Sequence, residues 1–268
     1  MRCLLRDQRG ALRLGAAPAA SSAAARTLRE DPWWLEILPT VVVLGAFVVY
    51  ATWRALAGAH YFVEPYLSPF YSPCLAVSCE HATFRLIGAW WPFSPAILIL
   101  WGPLGFRTTC YYYRKAYYRA FFWQPPACAV RDLPRAYTGE TRFPWVLQNA
   151  HRYFFYLSLL FLVFLWWDVL RAFRFPDGFG MGVGTVVLLG STALLTLYSL
   201  SCHSCRHLVG GHVDAFSRAP VRYRLWRWVS ALNAQHGPIA WVSLVAVALA
   251  DLYVYLLATG VVRDLRLF

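Results

Sequence analysis

Charge is scarce in this chain: Asp, Glu, Lys and Arg make up 14% of 268 residues, where soluble domains carry about a quarter. That scarcity, with 59% hydrophobic and 18% aromatic residues, excludes an ordinary soluble domain and places the chain in a membrane. Also missing is the alternation of apolar and polar residues that a lipid-facing barrel strand requires, so the expected fold is an all-α integral membrane protein. Residues 1–30 contain no continuous apolar core of the kind a secretory signal needs. Rich in Arg, Ala and Ser, residues 1–32 read as a disordered basic cytoplasmic tail, a composition that transit peptides share.

The apolar runs are ample. Five stretches, near residues 37–56, 90–112, 151–172, 181–202 and 237–260, approach the roughly 20 residues needed to cross about 30 Å of hydrocarbon. Residues 33–268 therefore form one five-helix transmembrane domain. A net charge of +12 would suggest nucleic acid in a soluble protein, but its distribution reports topology here. With the N-terminus inside, 19 of the 25 basic residues fall on one side, leaving Arg54, Arg85, Arg171, Arg174, Arg263 and Arg266 on the other. The positive-inside rule then sets the N-terminus in the cytoplasm and the C-terminus outside, in a multi-pass cell-membrane protein with no nucleic-acid partner.

Topology also sorts the seven Cys and seven His. Cys74, Cys79, His60 and His81 face outward, and two cysteines five residues apart in an oxidising compartment favour a Cys74–Cys79 disulfide. Between helices 1 and 2, "SPFYSP" suits a rigid cap on the membrane surface. The other ligand-type residues gather inside: Cys110 at the end of helix 2, Cys128 in the following loop, His151 at the start of helix 3 and His236 at the start of helix 5. "SCHSCRH", at the inner end of helix 4, adds Cys202, His203, Cys205 and His207. Four chain-distant segments thus bring Cys or His to one depth, and ionisable side chains in spans are costly enough to mark function.

Spacing alone leaves several chemistries open. Cys202 and Cys205 with His207 and His212 make a short-range zinc set, though no second Cys-x-x-Cys follows. Cys205-Arg206-His207 has the first spacing of a soluble Rieske loop, and nothing has the second. A bis-histidine haem b would draw two imidazoles from His151, His203, His207 and His236 on facing helices. Asp251, midway along helix 5, must be protonated or paired within the bundle, whereas Asp168 lies near enough to an end to reach solvent. "YYYRKAYYRAFFW" (111–123) combines an interfacial aromatic belt with a basic docking face, and the chain after the glycine stop at Gly210–Gly211 returns along the membrane surface as "RYRLWRW".

Five blocks carry a resemblance: "GFRTTCYYYRKAYYR" (105–119), "PPACAV" (125–130), "YTGETRFPWVLQNAHRYFFY" (137–156), "HSCRHLVGG" (203–211) and "DLYVYLLATG" (251–260). Together they resemble the five-helix, cytochrome b-like membrane anchor of a succinate dehydrogenase class, from about residue 33 to the C-terminus. The resemblance implies partner flavoprotein and iron-sulfur subunits, electron delivery to quinone in lipid, and no dicarboxylate chemistry on this chain. Related anchors bind haem b; this class resembles anchors with a Rieske-type [2Fe-2S] cluster held in the membrane by two Cys and two His. The implied ligands are Cys110 or Cys128 with Cys202, and two of His151, His203, His207 and His236; Arg152 would lie near a cofactor or a quinone oxygen.

Overall fold

The computed structural model describes residues 4–6, 12–14, 32, 34–76, 86, 90–122, 143 and 145–268. Cys79, His81 and Cys128 lie outside the described residues, as does most of the basic tail, in which Leu4–Arg6 pairs antiparallel with Leu12–Leu14.

With no water to satisfy backbone groups in hydrocarbon, apolar runs of this length settle as helices. In chain order these are α1 (Trp34–Ala57), α2 (Ala96–Thr108), α3 (Tyr111–Phe122), α4 (His151–Arg171), α5 (Val183–Leu200), α6 (His203–Gly210), α7 (Pro220–Ala234) and α8 (His236–Ala258). Among the described residues, four segments are long and apolar enough to cross a membrane: Ile37–Ala57, Val146–Arg171, Val183–Leu200 and His236–Ala258. Their 18 to 26 residues reach roughly 27–39 Å. The run expected over 90–112 is shorter: α2 has 13 residues, about 20 Å, and the chain breaks at Thr109–Cys110 before α3 begins. Apolar side chains such as Val42, Val49, Trp53 and Leu56 of α1 are exposed; on a membrane span these face lipid.

α8 packs along α5, α4 against both α2 and α5, and α1 against α2, α3 and α8. One end of this bundle is closed by a cap. There the Phe62–Val63/Tyr66–Leu67 hairpin and the 3-10 turn Pro69–Tyr71 meet the Arg174–Phe175/Gly178–Phe179 hairpin and the C-terminal segment, which bridges back from Arg266 to Gly182. Tyr66 and Tyr253 both donate to the Asp264 carboxylate.

The "SPFYSP" segment packs into the cap with its aromatic side chains turned inward. Phe70 and Tyr71 are buried, and Tyr71 stacks on Tyr61 at 4.2 Å, because aromatic area gains more inside the bundle end than at its rim. Asp168 likewise fails to reach solvent: it is 7% exposed and accepts a hydrogen bond from Ser72 of the cap. Asp251 takes the paired alternative, in a fully buried salt bridge at 2.8 Å to Arg54 of α1. Tyr50 and Ser68 add hydrogen bonds to the same carboxylate, and the Arg54 guanidinium lies 4.6 Å from the Tyr255 ring centroid. Arg54 is thus a bundle residue and not a loop charge.

The expected glycine stop also falls elsewhere. α5 ends at Leu200, and Cys202 takes an extended backbone (ψ 145°) with its sulfur accepting from Ser204 N, which starts α6 as a separate helix. Gly211 closes only α6, at φ −67°, outside the left-handed region. α7 then carries "RYRLWRW" back as the surface helix that its arginines and tryptophans suggested.

Candidate functional site

At the end of the bundle opposite the cap, two helices finish and two begin. Thr109 caps the C-terminus of α2 and Ser201 that of α5; His151 is the first residue of α4 and His236 the first of α8. Each cap residue is followed directly by a cysteine, Cys110 and Cys202.

These six side chains cross-connect. Thr109 Oγ1 lies 2.9 Å from His151 Nδ1, and His151 Nε2 lies 3.1 Å from Cys202 Sγ. Ser201 Oγ lies 2.7 Å from His236 Nδ1, and His236 Nε2 lies 3.4 Å from Cys110 Sγ. The hydroxyl beside one cysteine therefore orients the histidine that faces the other.

Aromatic rings hold the imidazoles. Phe106 stacks on His151 at 5.1 Å and Tyr198 stacks on His236 at 5.1 Å, while Phe106 and Tyr198 meet edge to face at 5.2 Å. Phe106, Phe155, Tyr198, Cys110 and Cys202 are all 3% exposed or less, so the thiols are shut off from bulk water. Burial pushes the Cys202 thiol up to about 11; left to itself it is a neutral thiol, and a bound metal would have to displace its proton.

Of the residues singled out in the sequence, Cys110, Cys202, His151 and His236 come together. His203 and His207 are exposed on α6, and Arg152 turns away, its guanidinium 2.7 Å from His207 Nδ1. Cys205 is buried beside the locus, but His207 and His212 stand apart on the surface with ring centroids 5.9 Å from one another. The short-range zinc set is therefore not assembled among the described residues.

Sequence reasoning missed four contributors: Thr109, Ser201, Tyr198 and Arg107. The repeated hydroxyl–cysteine pair, "TC" and "SC", at two helix ends was the available signal for the first two. Arg107, counted among the basic residues of the inner side, lies 4.6 Å from the Tyr198 ring centroid and reaches Tyr113 Oη (2.6 Å), Ala240 O (3.3 Å) and Ser243 Oγ (3.2 Å). A guanidinium over the Tyr198 ring, which itself stacks on His236, supplies fixed positive charge to the locus.

Comparison with known proteins agrees with this architecture. The family described as actinobacterial succinate dehydrogenase subunit SdhC matches residues 35–260. A chain of the Mycobacterium smegmatis Sdh1 complex in the apo form is 46% identical, with a TM-score of 0.83 over 94% of this chain and 98% of that one. No curated protein matches. With long apolar helices and a family match over most of its length, the chain belongs to the actinobacterial succinate dehydrogenase SdhC family and is a multi-pass membrane anchor subunit of that enzyme.

Proposed function

We propose that this anchor passes electrons from an iron-sulfur subunit to quinone through a Rieske-type [2Fe-2S] centre held by Cys110, His151, Cys202 and His236. The observation that carries the reading is the form of the donor set. Among the described residues no three His, Cys, Asp or Glu side chains gather tightly enough for a single metal ion; instead two thiol–imidazole pairs sit at one depth. A mononuclear zinc site needs four donors around one point, whereas two thiols and two imidazoles from four helix ends supply the two-Cys and two-His halves of a Rieske-type two-iron group.

Two further features fit. The Tyr198 hydroxyl is buried beside the Cys110 sulfur, a donor placed for a ligated sulfur, and the Cys202 sulfur already accepts from Ser204 N at 3.4 Å. The haem b alternative fits less well, because the Phe106 and Tyr198 rings fill the space beside both imidazoles. When bound, the cluster supplies one-electron chemistry at roughly −150 to +300 mV, a range that suits delivery to quinone. The chain's own residues orient the imidazoles and exclude water from the thiols.

The finer topology belongs to the same reading. α2 serves as the fifth crossing despite its length: Ser94, just before it, contacts Tyr71 in the cap, and Cys110, just after it, contacts His236 at the far end. The cap end then faces outward with the C-terminus, and the Cys–His end faces the cytoplasm. There Arg114 and Lys115 of α3 and the arginines of α6 and α7 offer a basic face to the iron-sulfur subunit, which links the anchor to the flavoprotein.

The test is a purified complex carrying His151→Ala with His236→Ala. Succinate oxidation with an artificial acceptor that draws electrons upstream should persist, while quinone reduction and a membrane-cluster EPR signal should vanish. A lost b-type absorption band would favour haem, and unchanged quinone reduction would refute the assignment.

A further inference from the structure

We infer that Thr109 and Ser201 are positioning residues that hold both imidazoles as Nδ1–H tautomers and so make Nε2 the ligating nitrogen of His151 and of His236. This rests on the two-iron reading and goes beyond it, because it assigns the nitrogen, the tautomer and the residues that impose both.

The argument is an accounting of protons. A hydroxyl carries one hydrogen and two lone pairs. Thr109 Oγ1 donates its hydrogen to Gly105 O at 2.6 Å, and Ser201 Oγ donates to Tyr198 O at 2.9 Å, in each case a carbonyl of the helix turn that the residue caps. A carbonyl can only accept, so both hydroxyl hydrogens are committed. The contacts to His151 Nδ1 (2.9 Å) and His236 Nδ1 (2.7 Å) are then short only if the imidazole donates. Nδ1 carries the proton in both rings, and each Nε2 presents its lone pair.

The other side of each ring is consistent with that assignment. Nε2 faces a cysteine sulfur in both pairs, at 3.1 Å for His151 and 3.4 Å for His236. A thiol is a weak acceptor but can give its S–H to a nitrogen lone pair, and Cys202 Sγ already accepts from Ser204 N. With the thiol protonated, the S–H therefore points at Nε2. If a cluster displaced the thiol protons, each sulfur and each Nε2 would have a lone pair free for ligation, the sulfurs for one iron and the imidazoles for the other.

The coincidence is doubled. Two sequence-distant helix ends, one capped by Thr and one by Ser, solve the same problem in the same way. A neutral imidazole with its far N–H given to a fixed oxygen is both oriented and made a better electron donor. Removing the acceptor oxygen should weaken that donation, favour the reduced centre and raise its reduction potential.

The experiment uses the intact complex from cells supplied with histidine labelled with ¹⁵N at Nε2 alone or at Nδ1 alone. Pulsed EPR of the reduced centre should find the large coupling of a directly bound nitrogen from the Nε2 label and only weak coupling from the Nδ1 label. In parallel, Thr109→Val and Ser201→Ala should each raise the potential, and Thr109→Ser should restore the original value. Large coupling from Nδ1, or potentials unmoved in both variants, overturns the inference while leaving the cluster in place. A wild-type complex with no nitrogen-coupled signal defeats the two-iron reading, and this inference with it. Because the labelling arm uses the unaltered protein, a variant that fails to assemble does not protect the inference.

Discussion

Buried polar side chains carry different duties at the two ends of this molecule. At the capped end, Asp251 and Arg54 are both fully buried, and their pairing neutralises charges that hydrocarbon could not tolerate singly. Removing one member strands the other: Asp251→Asn should destabilise the anchor by about 3–5 kcal/mol, measured as a lower midpoint for detergent or thermal unfolding of the purified complex. Replacing both residues together, as Arg54→Leu with Asp251→Leu, should cost less than either single change, because no uncompensated charge remains. If the double variant is the least stable of the three, the network has a role beyond mutual neutralisation. At the opposite end the buried groups are thiols and imidazoles, and their hydrogen bonds point at one another with no opposite charge to satisfy. That difference is why the first site is read as structural and the second as chemical.

Helix packing sets the distances between those groups. α2 meets α4 through glycines: a Cβ on Gly105 would come within 2.1 Å of the Phe154 ring, and one on Gly102 within 2.6 Å of Phe161. Such close approach of small residues is how membrane helices associate without a hydrophobic driving force. Gly105→Ala should therefore push α2 off α4 and carry Thr109 and Cys110 away from His151. The cost expected for overpacking is about 1–3 kcal/mol, and the check is reduced cluster occupancy in an otherwise assembled complex. Normal occupancy would show that the α2–α4 contact does not position the site. The four long spans were legible from apolar run length, since hydrocarbon thickness fixes it, and the gathering of Cys110, Cys202, His151 and His236 at one end of the bundle followed from their places at run ends. The rest was not local information. Whether "SCHSCRH" stays helical depended on Cys202 capping a new helix, and the choice of His151 and His236 over His203 and His207 depended on which helix starts face α2 and α5. The shortness of α2 was hidden because the prolines and aromatics before it are as apolar as the helix.

Across the whole molecule, the proposed topology gives the anchor an outer end built for rigidity and an inner end that would carry the redox centre. The excess of basic residues on the inner side predicts that a reporter fused after Phe268 reads as extracytoplasmic; a cytoplasmic reading would overturn both the topology and the placing of the Cys–His end. Cys74, buried in the cap, is disulfide-bonded, and on the proposed topology mass mapping without reductant should join it to Cys79, whereas another partner would contradict the small-loop closure. The central claim is that the two thiols and two imidazoles at this end together hold two irons, and the most direct measurement is the iron and acid-labile sulfide carried per complex. The complex with Cys110→Ser and Cys202→Ser should contain about two fewer irons and two fewer sulfides than the unaltered one, with the signals of the iron-sulfur subunit unchanged. Equal iron and sulfide in the two complexes, or zinc lost in their place, would contradict it.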